Sequence, residues 1–353
     1  MSRAKPSWAI LTSLIVLLLS CSVRAESPGT AAPTAEETRQ AFLKMIDRPR
    51  VELAPEVKEE MSDGVITSFH FTYSSEANER VPGVLRIKQE LLKDGHRHPA
   101  AIILHGTGGS KASELAILKK LAEKGFVAVA IDGRYHGERG TQADYNAAIA
   151  KAFADGGSHP LYYDTVWDVM RLVDYLQTRP DVDPARIGLM GISKGGIETW
   201  LGAAVDQRIA VAIPCISLQS FKWALENDAW HQRIGTVKKG FDAAAKSAGV
   251  ATPDAAFVRQ FYDRVIPGIY EYFDAPTMLT LIAPRPLLGI SGQKDPINPL
   301  HGVELCEAAA KAAYAKAGVP DKFKLIIEAN TAHNVTPEAQ AAAIEWFSMW
   351  LKP

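Results

Sequence analysis

The stretch RIGLMGISKGG, residues 186–196, decides how this chain is read. Arg186 to Met190 is a short apolar run, as a strand buried on both faces would be. Gly191-Ile192-Ser193-Lys194-Gly195 then matches G-x-S-x-G, and residues 195–204 carry helical spacing. A strand that runs into a helix through such a turn holds its serine in a strained conformation with the hydroxyl exposed. The flanking glycines let the backbone turn that tightly. The five-residue pattern is weak alone; the strand before it and the helix after it make Ser193 a candidate nucleophile.

Working outward, similar apolar runs recur at 100–104, 126–131, 210–214, 286–290 and 323–327. Segments with helical spacing separate most of them: 112–124, 163–178, 195–204, 305–317 and 337–351. Strand–helix alternation of this kind predicts an α/β protein with a mostly parallel central sheet wrapped by helices. Before it, the β-branched and aromatic stretches 65–73 and 80–88 predict an antiparallel hairpin at one edge, with 74–79 as the turn. Thr34 with Glu37 three residues on forms a capping-box signal for a helix over 34–45. Between 214 and 286 the rhythm breaks. Trp223, Trp230, Phe241, Phe257, Phe261, Tyr262, Tyr270, Tyr272 and Phe273 occur there at helical spacing. The segment at about 218–280 is expected to be an inserted helical cap, the alternative being a crossover with extra core helices.

A serine hydroxyl needs a base to take its proton. Of nine histidines, His333 is the strongest candidate, because it follows the last apolar strand on a loop before the final helix. In a parallel sheet that loop shares an edge with Ser193. Asp295, in Gly292-Gln-Lys-Asp-Pro296, follows the preceding strand and can orient the imidazole. His301, His136, His70, His96, His98 and His231 are weaker by position. His136 could line the site, and Trp230 and His231 of the cap are expected to touch substrate. His105-Gly106-Thr107-Gly108-Gly109 ends a buried strand in a glycine-rich turn. The backbone amides of Thr107 and Lys194 are the expected oxyanion donors. A phosphate loop is the rival reading, but the lysine–serine/threonine ending is missing.

His105-Gly106, Asp132-Gly-Arg134-Tyr-His136-Gly137, the Ser193 motif, Asp295 and His333 together resemble an α/β-hydrolase over roughly residues 65–351. The chain is most similar to dienelactone-hydrolase-like enzymes and acetyl xylan esterases, and Asp181 to Gly196 also resembles prolyl-oligopeptidase catalytic domains. The chain departs from the dienelactone hydrolases in having serine where they use cysteine. The resemblance therefore implies a serine carboxylic ester hydrolase with a Ser193–Asp295–His333 triad, acting through an acyl-enzyme on a small-molecule or carbohydrate ester. A peptidase or amidase, and a non-catalytic binding protein on the same fold, are the rival functions. No cofactor and no metal are implied.

Composition agrees. The 353 residues carry 39 basic and 40 acidic side chains, so no cationic excess exists to grip nucleic acid. Three cysteines, Cys21, Cys215 and Cys306, exclude a disulfide scaffold and a four-cysteine zinc site. A Cys215–Cys306 disulfide is permitted but not required. Residues 1–25 have a basic start, an apolar run at 8–19 and small residues at Val23 and Ala25, which predicts an export signal peptide. Cleavage after Ala25 would remove Arg3, Lys5 and Arg24, leaving 36 basic against 40 acidic residues. Leu18-Leu-Ser-Cys21 offers an alternative, lipidation at Cys21 and a membrane anchor. Residues 26–36 read as a linker, with the hydrolase domain over 37–353.

Overall fold

The computed structural model describes Met1 and residues 33–353, of which residues 34–353 form one unit. The expected signal peptide, Cys21 and most of the expected linker lie outside the described residues.

A nine-stranded sheet organises the unit: β1 Glu56–Ser62, β2 Ile66–Glu76, β3 Glu79–Lys88, β4 His98–Leu104, β5 Val127–Ile131, β6 Val182–Ile192, β7 Ile209–Cys215, β8 Leu287–Gly292 and β9 Phe323–Glu328. The spatial order is β1-β2-β3-β5-β4-β6-β7-β8-β9. β1 to β3 pair antiparallel and join β5 antiparallel, and β5 through β9 run parallel. The helices are α1 Ala35–Ile46, α2 Leu115–Glu123, α3 Gln142–Asp155, α4 Tyr163–Thr178, α5 Lys194–Val205, α6 Phe221–Glu226, α7 His231–Gly235, α8 Lys238–Ser247, α9 Ala255–Val265, α10 Ala275–Thr280, α11 Leu300–Lys316 and α12 Pro337–Leu351.

The apolar runs are continuous because helices cover both sheet faces. On β4, Ala100, Ile102 and Leu104 join one core with α1, α4 and α5, while Ala101 and Ile103 join the other with α2 and α12. Alternate residues of β4 from Ala100 on, and of β5, thus serve opposite cores, and no position there is left for a polar side chain. Cys306 belongs to the first core and Cys215 to the second; both thiols are free and buried. They therefore act as small apolar residues and not as a disulfide.

Two elements escaped sequence reading. β1 (EVKEEMS) is exposed throughout and shows no apolar alternation. Its strand character comes from backbone pairing to β2, and its charges protect an open edge. α3 buries Tyr145, Ile149, Ala152 and Phe153, an i, i+4, i+7, i+8 stripe whose contrast is weakened by the alanines around it. Its caps were legible: Thr141 and Asp144 form a capping box, and Gly156 ends it with φ +67°.

Between β7 and β8 the chain folds into α6 to α10. Phe153 of α3 stacks on Phe261 (6.0 Å) and meets Phe257 at a tilt (5.5 Å), and Phe241 packs edge-on against both Phe257 and Phe261 (5.3 and 5.0 Å). The helical segment is thus seated on α3, the helix that sequence reading had overlooked.

Helix α5, which starts just after Ser193, is held at its far end by Arg285. This guanidinium donates to the carbonyls of Ala203 (2.5 Å), Ile209 (2.7 Å) and Asp206 (3.1 Å). Orphan carbonyls at a helix C-terminus favour a cation. Burial nevertheless pushes the Arg285 pKa down to about 10.

Candidate active site

β6 ends at Ile192, Ser193 follows with φ +55° and ψ −112°, and α5 begins at Lys194. Such a conformation in a residue with a side chain costs about 1–3 kcal/mol. Its surroundings hold it in place. Ser193 N donates to Cys215 O at 2.9 Å, and Ile197 N donates to Ser193 O at 3.0 Å. Neighbouring backbones leave no room for side chains at the corner. A Cβ on Gly191 would stand 2.1 Å from Gly195 O, and one on Gly195 would stand 2.4 Å from Leu104 O.

His333 stands on the loop after β9 and Asp295 on the turn after β8. His333 Nε2 lies 2.8 Å from Ser193 Oγ, and His333 Nδ1 lies 2.8 Å from Asp295 Oδ2. Asp295 is buried and also accepts from Ile297 N (2.8 Å), Asn298 N (3.1 Å) and Asn298 Nδ2 (2.7 Å). Burial pushes its carboxyl up, but the bonds from His333 and Asn298 outweigh that and hold it below its ordinary value. An ionised Asp295 makes His333 Nδ1 the donor, so Nε2 is left as the acceptor for the serine proton. Sequence reading missed Asn298, although its place three residues after Asp295 is the spacing of a carboxylate that closes its own turn.

Ser193 and His333 open into a cleft of about 510 Å³, with Asp295 buried behind them. Ile192, Ile216, Ile297 and Val335 form an apolar side; Thr107, Thr236, Asn334 and Gln340 add neutral polar groups. Thr107 thus lines the same cleft as Ser193. The loop that carries it is fixed by His105, whose Nδ1 donates to Gly106 O (2.8 Å) while Nε2 accepts from Gly133 N (3.0 Å). Burial, aided by the charge of Lys194, pushes the His105 pKa down to about 4, so the ring stays neutral and keeps both bonds. The Lys194 side chain turns into the core and pairs with Glu198, both buried. Lys194 is not among the residues that line the cleft. Burial raises Glu198 to about 7 despite that partner.

Other expected contacts differ. His136 does not line the cleft. It is buried against Tyr145 (centroids 4.7 Å) and His105 (5.0 Å), and Nδ1 donates to Arg134 O at 2.7 Å. Trp230 is likewise buried, and His231 stacks on it at 3.7 Å with its own ring largely exposed. Neither is among the lining residues; the helical segment reaches the cleft with Thr236 instead. A short helix turned those two rings inward and outward together, which residue type alone does not reveal. His301 faces Glu304 at 3.4 Å on the exposed side of α11. Among the described residues no cluster of histidine, cysteine and carboxylates could hold a metal ion.

His136 supplies a pH test. Burial pushes its pKa down to about 3, from an ordinary value near 6.5. The unfolded chain then takes up a proton below pH 6.5 that the folded chain refuses, so stability is full above that pH and falls toward about 3. At pH 4.5 this loss is on the order of 2–3 kcal/mol. His136→Phe keeps the ring contact with Tyr145 and removes the proton site. Its melting temperature should fall less between pH 7 and 4.5 than that of the parent; equal falls would count against a neutral buried His136.

The family model described as "Glucuronyl esterase, fungi" matches residues 150–318, just under half of the chain. A Bacillus subtilis protein named as a hydrolase, YtaP, is 28% identical over 266 residues, 72% of this chain and 79% of its own. The 4-O-methyl-glucuronoyl methylesterase 1 of Wolfiporia cocos is 26% identical over 49% of this chain, and the match spans only 41% of that enzyme. Among solved structures, an acetyl xylan esterase from Paenibacillus sp. R4 superposes with a TM-score of 0.63, at 19% identity, covering 88% of this chain and 92% of the other. A glucuronoyl esterase from Solibacter usitatus gives 0.58 at 17% identity, covering 88% and 91%. The chain has the α/β-hydrolase fold of these esterases.

Proposed function

We propose that this protein is an exported serine hydrolase that cleaves carboxylic esters, with sugar esters as its substrate class. The hydrogen-bonded series Asp295–His333–Ser193, with both links at 2.8 Å at the edge of a cleft, carries this reading. Ser193 Oγ attacks the acyl carbon as His333 Nε2 takes its proton. The amides of Thr107 and Lys194 receive the charge that develops on the carbonyl oxygen. His333 then returns the proton to the leaving alcohol, and water repeats the sequence on the acyl-enzyme. Among its lining groups the cleft has no lysine, arginine or carboxylate, which suits an uncharged ester. The esterase names of the similar proteins support the choice of ester over amide and of carbohydrate as the alcohol or acid half. Export rests on the sequence of residues 1–25; among the described residues no helix is long and apolar enough to cross a membrane.

The test is a substrate panel on the purified protein: p-nitrophenyl acetate, acetylated xylose, an alkyl ester of glucuronic acid, and aminoacyl anilides. Ester kcat/KM should exceed that for anilides by about 10³ or more, because the harder amine leaving group asks more of the same acid. Faster anilide cleavage would replace this reading with a peptidase.

A further inference from the structure

The helix that delivers Thr236 to the cleft also sends a cation toward the catalytic carboxylate. Arg233 on α7 is buried, at 4% exposure. Its neutral polar partners include two carboxamide oxygens, Gln219 Oε1 at 3.0 Å and Asn298 Oδ1 in close contact, with the buried Tyr162 hydroxyl also beside it. Its guanidinium lies over the Phe221 ring, 5.5 Å from the centroid. Burying a cation with neutral partners is costly and is seldom kept for stability alone.

Asn298 explains what the cation does. Its Nδ2 donates both hydrogens, one to Ile216 O (2.8 Å) and one to Asp295 Oδ2 (2.7 Å). The two ends of a carboxamide are alike in shape, so packing cannot choose between them. Arg233 can only donate, so it holds Oδ1 toward itself and Nδ2 toward Asp295. With the amide reversed, Oδ1 would face a carboxylate oxygen and a carbonyl oxygen, and Asp295 Oδ2 would lose one of its two side-chain donors. Asp295 Oδ2 is the atom bonded to His333 Nδ1.

We propose that Arg233 is a positioning residue for hydrolysis: it fixes the Asn298 carboxamide so that Asp295 stays aimed at His333, and it ties the helical segment between β7 and β8 to the general base. The inference rests on the proposed triad. It places Arg233 three hydrogen bonds from His333 and four from Ser193, so its loss should slow the chemical step and leave substrate affinity alone.

The experiment uses the full chain with p-nitrophenyl acetate, comparing Arg233→Met, Arg233→Lys, Asn298→Leu and the doubles, with rates normalised to folded protein. Arg233→Met should lower kcat about 10- to 100-fold with KM within twofold. Arg233→Lys, which keeps a cationic donor, should return kcat to within about fivefold of the parent. In the Asn298→Leu background, Arg233→Met should cost nothing further, because the link it acts through is gone. A kcat within twofold of the parent, a loss carried by KM, or losses that multiply in the double variant would each overturn the proposal. If Arg233→Met does not fold, Arg233→Lys decides by the same comparison: a few-fold kcat loss in the parent that vanishes with Asn298→Leu supports it, and any other pattern overturns it. Fluorophosphonate labelling of Ser193→Ala runs alongside. Label retained there would refute the triad itself, independently of Arg233.

Discussion

Ser193→Ala should lose all covalent labelling by a fluorophosphonate and about 10⁶ in kcat on an ester substrate. The size follows from what is removed. Ser193 Oγ is the atom 2.8 Å from His333 Nε2, and no other hydroxyl among the described residues is bonded to that nitrogen. A methyl group leaves the cleft, the amides of Thr107 and Lys194, and Asp295–His333 in place, so residual activity reports binding and electrostatics alone. The variant should fold as the parent does, since the φ of +55° is imposed by the backbone bonds to Cys215 and Ile197 and not by the hydroxyl. Labelling that persists would identify another nucleophile.

The second large effect is expected from Asp295→Asn, about 10⁴ in kcat with little change in the overall fold. Asp295 accepts four hydrogen bonds in the structure, from Ile297 N, Asn298 N, Asn298 Nδ2 and His333 Nδ1. An asparagine there has one acceptor oxygen and brings an NH₂ that must face donors or the imidazole. Where it faces His333 Nδ1, that nitrogen must accept, the ring proton moves to Nε2, and the acceptor for the serine proton is lost. His333→Ala should fall by a similar factor and lose its labelling rate as well. If His301→Ala fell equally, the exposed His301–Glu304 pair would have to take the base's role, against its position on the outer side of α11.

Much of this arrangement was legible before any coordinates. Ser193 and Asp295 follow buried apolar strands and His333 follows the half-buried edge strand β9; the ends of parallel strands lie along one edge, so chain order alone placed them near one another. The expected hairpin at 65–88 and the parallel strands were legible because their residues are apolar for a local reason, burial on one face or both. β1 and α3 were not. The first is exposed and takes its shape from its neighbour's backbone; the second has a helical stripe, but Ala147, Ala148, Ala150 and Ala154 outside it blur the contrast between its faces. His136, Trp230 and His231 were assigned to substrate from residue type and approximate location. Their burial and stacking depend on Tyr145, His105 and the turn of a five-residue helix, partners that local pattern does not name.

By itself the sequence determined the class of the fold, the strand–turn–helix that presents Ser193, and the order serine, aspartate, histidine along the chain. These follow from chemistry between near neighbours: apolar period, glycine at a sharp corner, a polar loop after each strand. Only the tertiary structure decided which histidine meets the serine, that Lys194 turns inward to Glu198, and that Arg233 reaches Asn298 across 65 residues of chain. Those are matters of distance and direction between side chains remote in sequence, and they are settled by how the helices pack on the sheet.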